Sequence, residues 1–129
     1  MSFDWTEFLT LAEALQSAPD SPGPPEAALR SAASRAYYAA FHCALKFACR
    51  DGFVPTYSGD DHRKVQAHFR GYKPPDQTRR AIALQLDRLL KQRHEADYYA
   101  TLKRQPASLA GQAIGMAKNV LEKIEILKG

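Results

Sequence analysis

The sequence predicts an all-α protein, an antiparallel up-and-down bundle of four long helices and one short one. Three observations predict it. Apolar residues recur at spacings of three and four along most of the chain, as they do on one face of a helix. Period-two alternation, the mark of a half-buried strand, extends nowhere over a useful length. Proline and glycine then divide the chain into segments of helical length joined by short loops.

The first helix is expected over residues 2–17, with Trp5, Phe8, Leu9, Ala12 and Leu15 on one stripe. The run Ala18-Pro-Asp-Ser-Pro-Gly-Pro24 that follows is a stiff loop that cannot be helical. Pro24 and Pro25 open the second helix, because a proline is tolerated in a first turn, and Gly52 marks its stop just beyond Arg50. A short third helix fits residues 60–70, between Ser58-Gly59 and Gly71. Pro74-Pro75-Asp76 introduces a fourth over residues 77–98. Pro106 begins the last, where Leu109, Ala113, Met116, Val120, Ile124 and Leu127 keep the helical spacing. Gly111 and Gly115, four apart on that helix, are expected to allow a neighbour to pack closely.

At 129 residues the chain fits a single helical domain spanning 1–129. Its two cysteines, Cys43 and Cys49, lie six apart on one helix, too far to bridge each other, which fits a reducing cytoplasm. The apolar runs are too short for a transmembrane helix, and the acidic, aromatic start MSFDWTEF is unlike a signal peptide. The net charge of +4 is unevenly spread. Residues 1–29 hold five acids and no base, whereas residues 30–104 hold fifteen bases against seven acids. This basic middle suits a phosphate-bearing partner, although a solvated basic face accounts for the charge equally well.

The second helix separates into two faces. Leu29, Ala33, Tyr37, Ala40, Phe41, Ala44, Phe47 and Ala48 share the arc expected to face the core. Ser31, Arg35, Tyr38, His42, Lys46 and Cys49 fall opposite, interspersed with Ala28, Ala32 and Ala39. A surface so poor in glutamate suits packing against a second subunit, with Arg35 and His42 near the seam; a mixed exposed surface is the alternative. On the fourth helix, Ile82, Leu86, Leu89 and Leu90 define the core arc, and Arg93 and Ala96 continue it, with Asp97 at its edge. Arg93 and Asp97 are four apart and can pair, either as an ion pair locking the bundle or as the polar edge of a pocket shared with the second helix.

The segment Ser34-Arg-Ala-Tyr-Tyr-Ala-Ala-Phe-His42 in an alanine-rich second helix, followed by Leu89-Leu-Lys-Gln-Arg-His-Glu-Ala-Asp-Tyr98 in a later one, resembles the HEPN superfamily, the higher eukaryotes and prokaryotes nucleotide-binding domain. The resemblance covers nearly the whole chain and fits small stand-alone members. It implies a helical bundle, usually a homodimer, often encoded beside a nucleotidyltransferase-like protein. Many such proteins are toxins or defence ribonucleases that cleave RNA without metal or other cofactor, using an Arg and a His brought together across the dimer. Arg35 and His42, seven positions apart and so on one helical face, are the catalytic candidates. The histidine would move a proton and the arginine would hold the phosphate. Ser31, Tyr38, Arg93 and Asp97 are the candidate nucleotide- or RNA-binding residues. The alternative is a non-catalytic module that binds nucleotide or docks the nucleotidyltransferase-like partner. Arg63/His68 and Arg88/His94 offer similar spacings, so His68 and His94 stay open as functional histidines.

Other chemistry finds little support. Asp60, Asp61 and His62 are read as a loop in which three adjacent ligands would strain a metal site. No glycine-rich loop has the spacing that cradles phosphate. Cys43 flanks the core arc, where a free cysteine is usually inert. Tyr98 and Tyr99 are expected to staple the fourth helix to a neighbour, and Tyr57 and Tyr72 sit in loops where they could stack on bases.

Overall fold

A computed structural model describes residues 2–21 and 23–129. Pro22, within the loop predicted between the first two helices, lies outside the described residues. Five helices follow one another: α1 (Glu7–Ser17), α2 (Pro25–Arg50), α3 (Asp61–Arg70), α4 (Gln77–Tyr98) and α5 (Pro106–Lys128). The described residues contain no strand, and none of their helices is long and apolar enough to cross a membrane.

Local chemistry sets the helix ends. Asp76 caps α4 by accepting from the backbone N–H groups of Thr78 (2.8 Å) and Arg79 (3.3 Å), which satisfies two orphan donors. At the far end of α4, Arg30 of α2 donates to the carbonyls of Ala96 (3.2 Å), Tyr99 (2.5 Å) and Ala100 (3.3 Å), while Glu26 holds its Nε at 2.9 Å. One guanidinium thus closes a C-terminus that has no glycine cap. The first helix begins five residues later than the sequence pattern predicts, at Glu7 rather than Ser2. The Asp4 carboxylate accepts from both the backbone N–H (3.0 Å) and the hydroxyl (2.7 Å) of Thr6, so the chain turns there instead of continuing as helix. Trp5 is consequently outside the helix, in a cluster with Phe3 and Phe8.

Residue pairs across the helices give their directions. On α2 and α4, Ser34 meets Asp97, Tyr38 meets Arg93 and Phe47 meets Arg79, so the two run antiparallel. Trp5 and Phe8 reach His42 and Arg35, respectively, which makes α1 antiparallel to α2. Gln85 donates to Asn119 at 2.7 Å across α4 and α5, and Lys118 pairs with Glu13 across α5 and α1 at 2.9 Å. One contiguous apolar core draws on all five helices.

At its centre is α2, which touches every other helix. Ala28, Ala32 and Ala39, placed by the sequence on an outward face, are 5%, 0% and 0% exposed and lie inside this core. Three helices, α1, α4 and α5, pack along α2 closely because alanine leaves room for them, so its buried arc is much wider than one stripe. The outward face that remains is a narrow strip through Ser31, Arg35, Tyr38, His42, Lys46 and Cys49. The glycines of α5 have no packing role of the expected kind. A Cβ at Gly115 would meet nothing within 4 Å, and one at Gly111 would meet only the tip of Gln16 at 3.4 Å. Tyr98 is 67% exposed and staples nothing, because the chain leaves the helix at Tyr99.

Candidate functional site

The polar face of α2, the last turns of α4 and the start of α3 converge on one cluster. Arg93 projects from α4 beneath the rings of Tyr37 and Tyr38, with its guanidinium 5.7 and 5.6 Å from their centroids. It donates to the Tyr38 hydroxyl at 3.1 Å and stands 3.6 Å from the Asp97 carboxylate, one turn further along. Ser34, buried on α2, donates to the same carboxylate at 3.3 Å. The pair anticipated between Arg93 and Asp97 is therefore both structural and the rim of a polar site. The Arg93 Nε is buried without a hydrogen-bond partner.

Beneath them lies a residue expected in a loop, as one of three adjacent groups that would strain a metal site. His62 is in the first turn of α3, and its Nδ1 is hydrogen-bonded to the hydroxyl of Tyr37, a side chain only 1% exposed. Burial pushes the Tyr37 phenol well above the ordinary tyrosine range, so it stays protonated. With that phenol donating, His62 carries its proton on Nε2. Burial and then the Arg93 charge push the His62 imidazole down, against an upward pull from Asp61. His62 is thus a neutral histidine within a cationic neighbourhood. Asp61 does not join it as a ligand. Its carboxylate turns back to the preceding loop and accepts from the Thr56 hydroxyl (2.7 Å), the Thr56 N–H (3.0 Å) and the Tyr57 N–H (2.8 Å). No three His, Cys, Asp or Glu side chains among the described residues gather as a metal site.

Arg35 and His42 occupy the α1 side of the same strip. The Arg35 guanidinium lies between the rings of Phe8 (4.7 Å) and Tyr38 (4.9 Å). His42 lies flat against Trp5, with ring centroids 3.6 Å apart and planes 13° from parallel. Burial, then the charges of His62 and Arg35, push His42 down from the ordinary histidine value. Tyr38 joins the two halves, with Arg35 on its ring and Arg93 on its hydroxyl. Of the other sequence candidates, Ser31 is exposed beyond this cluster. His68 is at the opposite end of α3, 3.4 Å from Asp51. His94 is exposed on α4, against Tyr98 and Tyr99.

A cleft of about 600 Å³ opens between α3 and α4 beside this cluster. His62, Arg93 and the buried Gln66 line its inner part, and Arg63, Lys91 and His94 line its mouth. Asp87 is its one carboxylate, and that group is engaged by Lys91 at 3.0 Å. The balance is cationic, with polar side chains positioned to fix an anion. His62 and Tyr37 escaped the sequence reading, and their signals were indirect. A tyrosine on a core arc needs a partner for its hydroxyl, and a histidine two residues inside an expected helix start need not belong to the loop.

No family model matches this chain, and neither the curated proteins nor the solved structures include a significant match to it. Its function therefore rests on the chemistry of the site.

Proposed function

We propose that this chain is a HEPN-like protein that binds a phosphate-bearing ligand, a nucleotide or RNA, in the basic cleft between α3 and α4. One observation carries the reading. The Arg93 guanidinium is fixed by Tyr38 and Asp97 at the wall of a cleft whose cations outnumber its carboxylates. Arginine so held has the planar donor fork that phosphate takes. Arg63 and Lys91 at the mouth add attraction for an anion, and His62 presents a neutral imidazole to it. The five-helix arrangement, with the Ser-Arg-Ala-Tyr-Tyr segment on the central helix and the Arg…Ala-Asp-Tyr segment facing it, agrees with the HEPN resemblance in placing both motifs at one site.

Metal-independent endoribonuclease activity, in a toxin–antitoxin or defence setting, is the second reading. It is favoured by two histidines held neutral beside two arginines. A neutral imidazole can take the proton of a ribose 2′-hydroxyl as that oxygen attacks phosphorus, and an arginine can hold the charge that develops. The P–O5′ bond breaks, the 5′-oxygen leaves with a proton from the resulting imidazolium or water, and a 2′,3′-cyclic phosphate remains. Arg35 and His42 are its catalytic pair, completed by a second copy of the chain along the outward strip of α2. A binding module that docks a nucleotidyltransferase-like protein on that strip would use the same residues without turnover. A cytoplasmic setting fits each of these roles.

The deciding experiment titrates the protein with fluorescently labelled RNA, follows anisotropy, and incubates end-labelled RNA with it in EDTA. Binding lost in Arg93→Gln, with the fold retained, is the expected result. Unchanged binding in that variant would overturn the cleft assignment. Cleavage by the wild type that disappears in His42→Ala would establish the ribonuclease reading, and cleavage lost only in His62→Ala would move its histidine to α3. Binding without cleavage would leave the module.

A further inference from the structure

The α3–α4 cleft has a counterpart on the other side of α4. A second cleft, of about 390 Å³, lies between α4 and the α5 side of the molecule, lined by Arg88, Lys91, Gln92, Tyr99, Lys103 and Arg104 among others. The two clefts share Lys91 and Tyr99, so they meet across the exposed ridge of α4. The second is as cationic as the first. Its one carboxylate, Glu95, is occupied by Arg104 at 3.0 Å and by the backbone N–H of Lys103 at 3.2 Å, which leaves Arg88 and Lys103 without a counter-ion there.

Each cleft also has a buried amide with an unspent group. Gln66, 5% exposed, lines the first and has a buried Nε2 with no partner; Gln92, 8% exposed, lines the second and has a buried Oε1 with no partner. Orphaned amides are rare, because each costs the desolvation of a polar group. These two amides stand in the walls of the two clefts, one on each side of the same helix. Tyr99 stands at the divide. Arg30 fixes its backbone through the carbonyl, and Lys103 Nζ lies 5.3 Å from its ring centroid.

We propose that the two clefts form one track for single-stranded RNA that crosses α4, with phosphates on the cations of both sides and a base near Tyr99. The proposal rests on the phosphate-binding reading of the first cleft and extends it from one phosphate group to a polynucleotide. A lone nucleotide needs only one cleft, whereas two cationic clefts joined over a ridge that carries Tyr99 suit a chain that repeats phosphate and base.

The test compares two probes, labelled uridine monophosphate and a labelled oligouridylate of about twelve nucleotides, on the wild type, on Arg63→Gln and on the double variant Arg88→Gln with Lys103→Gln. Each substituted side chain is exposed, so the fold should persist, and a thermal melt verifies it. The oligonucleotide is expected to bind more tightly than the monophosphate. Both variants should weaken it several-fold, and each lost phosphate contact should lower the slope of log affinity against log salt by about 0.7. The double variant should bind the monophosphate as the wild type does. Oligonucleotide binding unaffected by the double variant would overturn the track and leave the first cleft standing. So would equal affinity for the two probes, or displacement of the oligonucleotide by an acidic peptide at equal charge. Failure of both probes to bind the wild type would overturn the phosphate-binding reading itself.

Discussion

At the C-terminal end of α2, Arg79 and His68 meet Asp51 beside Phe47 and Tyr72; further back on the same helix, Arg93 and His62 meet Asp97 beside Tyr37 and Tyr38. The residue types are the same, but the pairing differs. Arg79 is 7% exposed, bonds Asp51 at 2.5 Å, has Asp76 at 3.6 Å and is covered by the Tyr72 ring at 3.6 Å. Tyr72 is therefore occupied with an arginine and is not a free stacking surface. Around Arg93 and Arg35 the one carboxylate within reach is Asp97, at 3.6 Å from Arg93, and the histidines are pushed towards neutrality instead of being paired. A buried charge stripped of its partner destabilises a fold strongly, so the matched cluster acts as a joint. The other keeps charge that one carboxylate at 3.6 Å does not fully match, open to something outside the protein.

Breaking the joint should have the largest effect on stability. Arg79→Ala leaves Asp51 with only His68, at 3.4 Å, and removes packing from Phe47 and Tyr72. It should cost about 3 kcal/mol, as removal of one member of a buried pair does, read from chemical denaturation. RNA or nucleotide binding by the folded fraction should not change. Arg93→Gln should show the reverse, a loss of about 1 kcal/mol or less, because the Asp97 side chain is 32% exposed and can be hydrated, but a loss of ligand binding. If the two variants lose stability equally, the contrast between joint and site fails.

Next in size is Tyr37→Phe, which deletes the hydroxyl that bonds His62. Leaving a buried ring nitrogen unpaired should cost about 1–2 kcal/mol. Loss of a bond that favours the neutral imidazole should also move the His62 titration up towards about 6.5, followed by NMR. A His62 titration unchanged in the variant would mean that burial and Arg93 alone hold it down.

This part of the site shows where the sequence is legible. A first-turn proline and an aspartate cap act locally, so Pro25, Asp76 and Pro106 place the starts of α2, α4 and α5 within a residue. The Arg93–Asp97 pair is equally local, a matter of four positions on one helix. Asp4 stops α1 short through two bonds to Thr6, a choice between turn and helix that the apolar stripe through Trp5 does not reveal. The wide burial of α2 depends on three helices arriving around it, which no periodicity within α2 records. The bond between Tyr37 and His62 spans twenty-five positions and exists only because α3 returns beside α2. Their roles were hidden for that reason.

Acid should separate the two regions by a smaller effect. His42 and His62 both have folded-state values below the ordinary one, so the unfolded chain binds more protons as the pH falls through about 6.5. Their contribution to stability is complete above that value and is lost as the pH falls through the folded values. The melting temperature should therefore decline between pH 7 and about pH 5, less steeply in a His62→Gln variant. Ligand affinity should move oppositely, because an anion in the cleft favours the protonated His62 and is favoured by it. An affinity independent of pH over that range would place the ligand away from His62.

Lys91→Gln should produce the smallest change in stability and the sharpest separation of roles. Lys91 pairs with Asp87 at 3.0 Å, but its side chain is 75% exposed, and an i,i+4 pair on an open helix face contributes about 0.3–0.5 kcal/mol. The denaturation midpoint should barely move. Lys91 is nonetheless common to both clefts, so its charge acts on any anion that occupies either. Removing it also frees Asp87, which converts a neutral pair into a net negative charge at the mouth of the first cleft. The affinity for the oligonucleotide should fall more than in Arg63→Gln, whose side chain borders one cleft only. If the two variants weaken binding alike, the ridge of α4 is a boundary and not a crossing.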